Sequence, residues 1–156
     1  MRVFLQRVSQ AAVHIDSELV GSCGPGLLLL LGVCQGDSEA EADYLVDKCL
    51  NLRVFSDAEG KMNLSLLDLQ GEALVISQFT LYGDTRRGRR PSFTAAAPPE
   101  VSEPLYEYFV QQLRQRGSIK VATGKFGADM QVGLVNDGPV SIMLEKAPNN
   151  GDALPH

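Results

Sequence analysis

The chain has 156 residues and a mass of 16.9 kDa, the size of one ordinary domain with one real core. At 44% hydrophobic and 21% charged residues it is not disordered, and its longest apolar run, residues 27–31, is far short of the ~20 residues of a membrane helix. Lys+Arg 14 against Asp+Glu 19 leaves a net charge of −5, which excludes a nucleic-acid binder working through its whole surface but not one with a local basic patch.

Met1-Arg2-Val3-Phe4 leads straight into a strand pattern, so no signal peptide is expected. Residues 2–8 have strand composition. Residues 12–15 and 18–21 flank Asp16-Ser17, a tight hairpin. After the turn Gly24-Pro25-Gly26, residues 27–33 form a continuous apolar run, fit for a strand buried on both faces. Ser38-Glu39-Ala40-Glu41 is a capping box, opening a helix with Ala42, Leu45, Cys49 and Leu52 on one face. A short strand at 53–55 and a polar turn at 56–60 follow. Residues 73–81 read as a strand, and 83–90 as a polar, basic loop.

A second helix is expected over 103–116, with Leu105, Phe109 and Leu113 in register and Gly117 ending it. Its start is ambiguous between Pro98-Pro99 and Ser102-Glu103-Pro104. A strand at 119–122, a Gly-rich loop at 123–128, and strands at 130–135 and 140–144 around a turn at 136–139 complete the pattern. The expected architecture is α+β: an antiparallel or mixed sheet curled into a barrel-like core, with about two helices packed on it. Residues 1–145 form a single domain in this reading, and 146–156 a flexible tail.

The chemistry on offer is sparse. The only histidines are His14 and the terminal His156, too few for a zinc site or a Ser-His-Asp triad. No metal and no cofactor is expected. Cys23, Cys34 and Cys49 form no CxxC pair and read as reduced thiols of a cytoplasmic protein. Arg86, Arg87, Arg89 and Arg90 fall within five positions; they are a solvated loop or a phosphate contact. Ser77, Gln78, Phe79 and Thr80 sit at a predicted strand end. Alternation puts Ser77, Phe79 and Leu81 on one face and Gln78 and Thr80 on the other. That is an amphipathic strand or a polar active-site wall whose backbone amides hold an oxyanion. No base lies beside Thr80, so it makes a weak nucleophile. Asn136-Asp137-Gly138-Pro139 has turn composition, but Pro139 cannot donate to a ladder, which points to a special backbone there, a cis peptide among the options. Phe126 and Met130 are core residues or the lining of a base-stacking pocket.

Taken together, these segments resemble the D-aminoacyl-tRNA deacylases. The resemblance spans residues 1–145. It rests on Leu5-Gln6-Arg7-Val8, on the run from Phe55 to Asn63, on Ser77-Gln78-Phe79-Thr80-Leu81, on Arg90-Pro91-Ser92-Phe93 and on Asn136-Asp137-Gly138-Pro139. Ser141 departs from the usual Thr and keeps the hydroxyl. The resemblance implies a homodimer that hydrolyses the ester between a D-amino acid and the 3′-terminal adenosine of tRNA. It extends to mischarged glycyl-tRNA. It implies a cis Gly138-Pro139 peptide reaching into the partner's active site. Main-chain amides of Phe79 and Thr80 would face the scissile carbonyl, Phe126 and Met130 the terminal adenine, and the arginine loop the tRNA. The ribose 2′-hydroxyl would assist. The alternative is a non-catalytic tRNA-binding module using the 86–90 loop.

Overall fold

A computed structural model describes residues 1–149. In chain order its elements are β1 (Arg2–Ile15), β2 (Glu18–Cys23), β3 (Gly26–Gly32), α1 (Glu39–Asn51), β4 (Phe55–Ser56) and β5 (Met62–Leu64). They continue as α2 (Leu66–Leu69), β6 (Glu72–Ser77), a 3-10 turn (Phe79–Tyr82), α3 (Pro99–Gly117), β7 (Val121–Thr123) and β8 (Gln131–Glu145).

The long strand β1 organises the sheet. One edge pairs antiparallel with β8. The other pairs antiparallel with β3 near the start of β1 and with β2 near its end. β3 then pairs in parallel with β6, and β6 with β7. The sheet curls until β2 approaches β7, nearly closing a barrel. A Cβ on Gly21 would lie 2.3 Å from the Thr123 carbonyl oxygen, so glycine is needed at this seam.

The apolar run in β3 is buried on both faces because a core lies on each. Leu27, Leu29 and Leu31 pack with Leu45, Phe109 and Leu113 under the helices. Leu28 packs inside the curl with Val8, Val13, Leu74 and Ile76. The α1 capping box forms as expected, with Ser38 donating from its amide to Glu41 at 2.8 Å. Asp16 and Ser17 both take positive φ, the turn geometry that matches strand twist in a two-residue hairpin.

Several sequence expectations needed correction. Residues 2–15 are one strand, not two. β4 and β5 form a small separate hairpin, and α2 adds a third, one-turn helix. The second helix begins at Pro99, so Pro104 lies inside it, and Ser118 rather than Gly117 takes the left-handed cap. The strand expected over 73–81 stops at Ser77, and the alternation inferred beyond it is lost in the 3-10 turn. Residues 131–145 are one strand along β1, not a hairpin. Of the expected tail, Lys146 is tied to Met1 by a backbone bond of 3.0 Å, and residues 150–156 lie outside the described residues.

The Met1 amino group is buried. It pairs with Asp37 at 2.7 Å, both side-chain sites being 0% exposed, and also donates to the Lys146 carbonyl. Asp37 accepts the Cys34 amide at 2.7 Å as well. Removing one partner of a buried pair strands the other. Asp37→Ala is expected to lower stability by about 3–5 kcal/mol, read as a fall in the urea midpoint at unchanged slope.

Candidate active site

The site begins where β6 ends. The Gln78 amide donates to the Leu31 carbonyl at 2.8 Å, the last rung of the parallel ladder. The chain then coils: Leu81 N–H donates to Gln78 O at 3.3 Å and Gly83 N–H to Thr80 O at 3.0 Å. The first amides of such a turn have no acceptor within it. Among the described residues, the amides of Phe79 and Thr80 have none elsewhere either. Gly32 lets the turn lie against β3; a Cβ there would meet Gln78 O and Leu81 Cβ at 3.1 Å. Gln78 Nε2 donates to the Thr80 hydroxyl. No carboxylate or imidazole among the described residues is bonded to that hydroxyl.

A cleft of about 600 Å³ opens beside this turn. Ser77, Gln78 and Phe79 line it, with Phe93, Ser102, Phe126 and Met130. Phe79 is 55% exposed and packs edge-on to Phe93, centroids 5.1 Å apart. Phe126 tilts against Tyr106 at 6.0 Å, and the Tyr106 hydroxyl donates to Val75 O at 2.9 Å. Phe126 and Met130 each pack on a core and line the cleft. Phe93 and Ser102 were missed by sequence reasoning as separate site residues. Ser102 lies inside α3, where its pattern marks it only as a possible helix start.

The basic loop follows the turn. Asp84 and Ser92 close it with paired backbone bonds of 2.7 and 2.9 Å. Arg86 grips Asp84 through two nitrogens, at 2.9 and 2.7 Å, and holds that carboxyl far below the usual carboxylate range. Arg87, Arg89 and Arg90 are exposed. None of the four arginines lines the cleft.

Gly138-Pro139 is a cis peptide in a bulge of β8. Gln6 pairs with Ser141, but Val8 already pairs with Asn136, so residues 137–140 bow out opposite Arg7. Asn136 closes the base of the bow: its Oδ1 accepts the Val140 amide at 2.7 Å, and its Nδ2 donates to Ser141 Oγ at 3.0 Å. Arg7 holds the bow itself, donating to Asp137 O at 2.7 Å and to Val54 O at 2.6 Å. Gly138 has φ +143, and a Cβ on it would sit 2.9 Å from Arg7 Nη2. The bow does not line the cleft of its own chain.

Nucleophiles are scarce. Burial pushes the Cys23 thiol up to about 11 and Cys49 up to about 12, and raises Cys34. None is a thiolate near neutrality. Among the described residues, no group of three His, Cys, Asp or Glu side chains could hold a metal. What the cleft offers is the Ser77 and Ser102 hydroxyls and the Gln78 side-chain amide, with the unpartnered N–H groups of Phe79 and Thr80 in the turn beside it. That set can hold a developing oxyanion but cannot supply an activated side-chain nucleophile.

A family model described as D-Tyr-tRNA(Tyr) deacylase matches residues 4–145. A D-aminoacyl-tRNA deacylase of Roseiflexus sp. (strain RS-1) is 61% identical over 94% of this chain and 94% of the relative. That of Thermomicrobium roseum is 56% identical over 99% of each. A solved structure titled c-Myc DNA Unwinding Element Binding Protein is 43% identical, with TM-score 0.88 over 94% of this chain and 99% of that one. A probable eukaryotic D-amino acid tRNA deacylase shares the fold at TM-score 0.80 and 18% identity, covering 92% of this chain and 97% of that one.

Asn136 is the bulge's own lock. Asn136→Ala leaves the Val140 amide without its acceptor and is expected to cost about 1–3 kcal/mol. Hydrogen exchange should show the Val140 amide losing protection, while β3 and β6 amides keep theirs.

Proposed function

Since the chain belongs to the D-Tyr-tRNA(Tyr) deacylase family, we propose that its cleft frees D-amino acids from tRNA and leaves L-aminoacyl-tRNA intact. Membership makes it a hydrolase of aminoacyl-tRNA esters. The finer reading concerns how. Water adds to the ester carbonyl, the carbonyl oxygen gains negative charge, and the C–O bond to the terminal ribose then breaks. The ribose oxygen leaves with a proton, giving tRNA and free amino acid. The observation that carries this reading is the pair of unpartnered amides, Phe79 and Thr80, in the turn that runs beside the 600 Å³ cleft. Fixed N–H donors placed where charge develops are worth several kcal/mol in such a step. An aminoacyl ester is already activated, and the neighbouring ribose 2′-hydroxyl assists, so no protein base is required.

Phe126 and Met130 offer an apolar surface for the terminal adenine. Arg87, Arg89 and Arg90 serve the tRNA phosphates, with Arg86 shaping the loop through Asp84. Gly138 and Pro139 set chirality by backbone, because rigid main chain does not relax to admit the wrong isomer. They act in the partner's cleft within a homodimer. Two features support this: the bow lies outside its own cleft, and β8 exposes Leu134, Val135 and Met143. Glycyl-tRNA, with no side chain to exclude, is also a substrate. A second reading, a nucleic-acid-binding module without turnover, draws on the exposed arginine loop alone.

Purified protein incubated with matched D- and L-aminoacyl-tRNA tests the reading. D-ester loss above the spontaneous rate, with L-ester spared, is expected; tRNA retardation with no ester loss would favour the binding module. In single turnover, Thr80→Ala should keep most of the rate, since the Ala side chain leaves the N–H in place. A nucleophilic Thr80 would lose nearly all of it.

The combined Arg87→Ala, Arg89→Ala, Arg90→Ala variant should weaken tRNA binding and flatten its salt dependence, by roughly 0.7–0.9 in the log–log slope for each phosphate no longer neutralised. The chemical step at saturation should be unchanged. An unaltered slope would mean the loop is only solvated.

A further inference from the structure

The Phe79–Tyr82 turn is held at its start by the Gln78–Leu31 bond. Its far end is held by a side chain from β1, two strands away at the same end of the sheet. Arg2, in the first position of β1, lies opposite Gly32 of β3 and Glu145 of β8. Its Nη1 donates to the Leu81 carbonyl at 2.9 Å. Its guanidinium lies over the Tyr82 ring, 4.5 Å from the centroid. Its Nε pairs with Glu145 at 3.0 Å. One planar group therefore binds the backbone of the turn, covers its one buried ring, and is itself oriented by a carboxylate on the neighbouring strand.

We propose that Arg2 is a positioning residue for the deacylation site: by gripping Leu81 and Tyr82 it fixes the turn whose first residue, Phe79, and cap, Gln78, form a wall of the cleft. The inference rests on the deacylase reading of that cleft. Arg2 touches no substrate. It acts through four residues of backbone, which are short enough for a small displacement at Leu81 to reach Phe79. A guanidinium is required because bonding, stacking and pairing occur at once. Lysine can make the bond to Leu81 O or the pair with Glu145, but its ammonium cannot reproduce the planar fork. The exposed pair with Glu145 adds little stability of its own, so the role of Arg2 is geometric.

The test uses the full chain, D-aminoacyl-tRNA in single turnover, and ¹⁵N amide shifts. Arg2→Ala should slow the saturated rate by about tenfold to a hundredfold, within what a misplacement near 1 Å can cost, with tRNA affinity unchanged. Arg2→Lys should fall between Arg2→Ala and the wild type. Glu145→Gln keeps the bond to Leu81 and still offers an amide oxygen to Arg2 Nε, so it should stay near the wild-type rate. In Arg2→Ala the amides of Phe79 and Thr80 should shift, while those of β3 should not. A wild-type rate in folded Arg2→Ala, or equal losses in Arg2→Ala and Glu145→Gln, would overturn the proposal. So would unmoved Phe79 and Thr80 amides, a readout that stands without turnover. A wild-type chain with no D-ester loss would instead overturn the deacylase reading.

Discussion

One hydrogen bond decides what the end of the parallel ladder becomes. The Gln78 amide is spent on the Leu31 carbonyl, and the backbone then leaves the sheet. Had β6 continued, the next amides would also have found strand partners. Instead they open a turn, where the first N–H groups have no internal acceptor. Gly32 makes the departure possible by giving the turn room against β3. The proposed chemistry follows from this geometry. In the proposed mechanism, two donors that folding leaves unpartnered receive a carbonyl oxygen becoming negative.

Main chain is also the material of the second part of the proposed site. The bow at residues 137–140 is shaped by Asn136 at its base and by Arg7 across it. Arg7 ties Asp137 to Val54, just before the β4–β5 hairpin. This gives the Phe55–Asn63 run a structural place: it begins at the brace of the bow. Both parts of the proposed site are thus backbone held by side chains from elsewhere in the sheet. Such an arrangement suits discrimination between mirror images, since neither part can swing aside as a free side chain would.

Local signals were legible in the sequence and distant ones were not. The α1 capping box, the Asp16-Ser17 hairpin and the doubly buried run in β3 were all readable, because each is set by residues a few positions apart. The special backbone at Pro139 was readable because proline cannot donate to a ladder. The end of β6 was not: Ser77–Leu81 has strand composition throughout, and its fate is set by Leu31 and Gly32, more than 40 positions away by their numbering. The single strand β8 departs from the two strands its sequence predicts for a similar reason. Turn residues at 136–139 mark a bulge only because β1 runs alongside the whole of it. Arg2 carried no signal, since its partners Leu81 and Glu145 are 79 and 143 positions distant.

The central claim is that a main-chain N–H, not a side chain, carries the stabilisation of the oxyanion. Exchanging Phe79 for phenyllactic acid tests it most directly. That replaces the residue 79 amide by an ester and removes its N–H while keeping the benzyl group that packs on Phe93. The account predicts a fall of about 10²–10³ in the single-turnover rate on D-aminoacyl-tRNA, with the protein still folded and still binding tRNA. A folded ester variant that deacylates at the wild-type rate would contradict it.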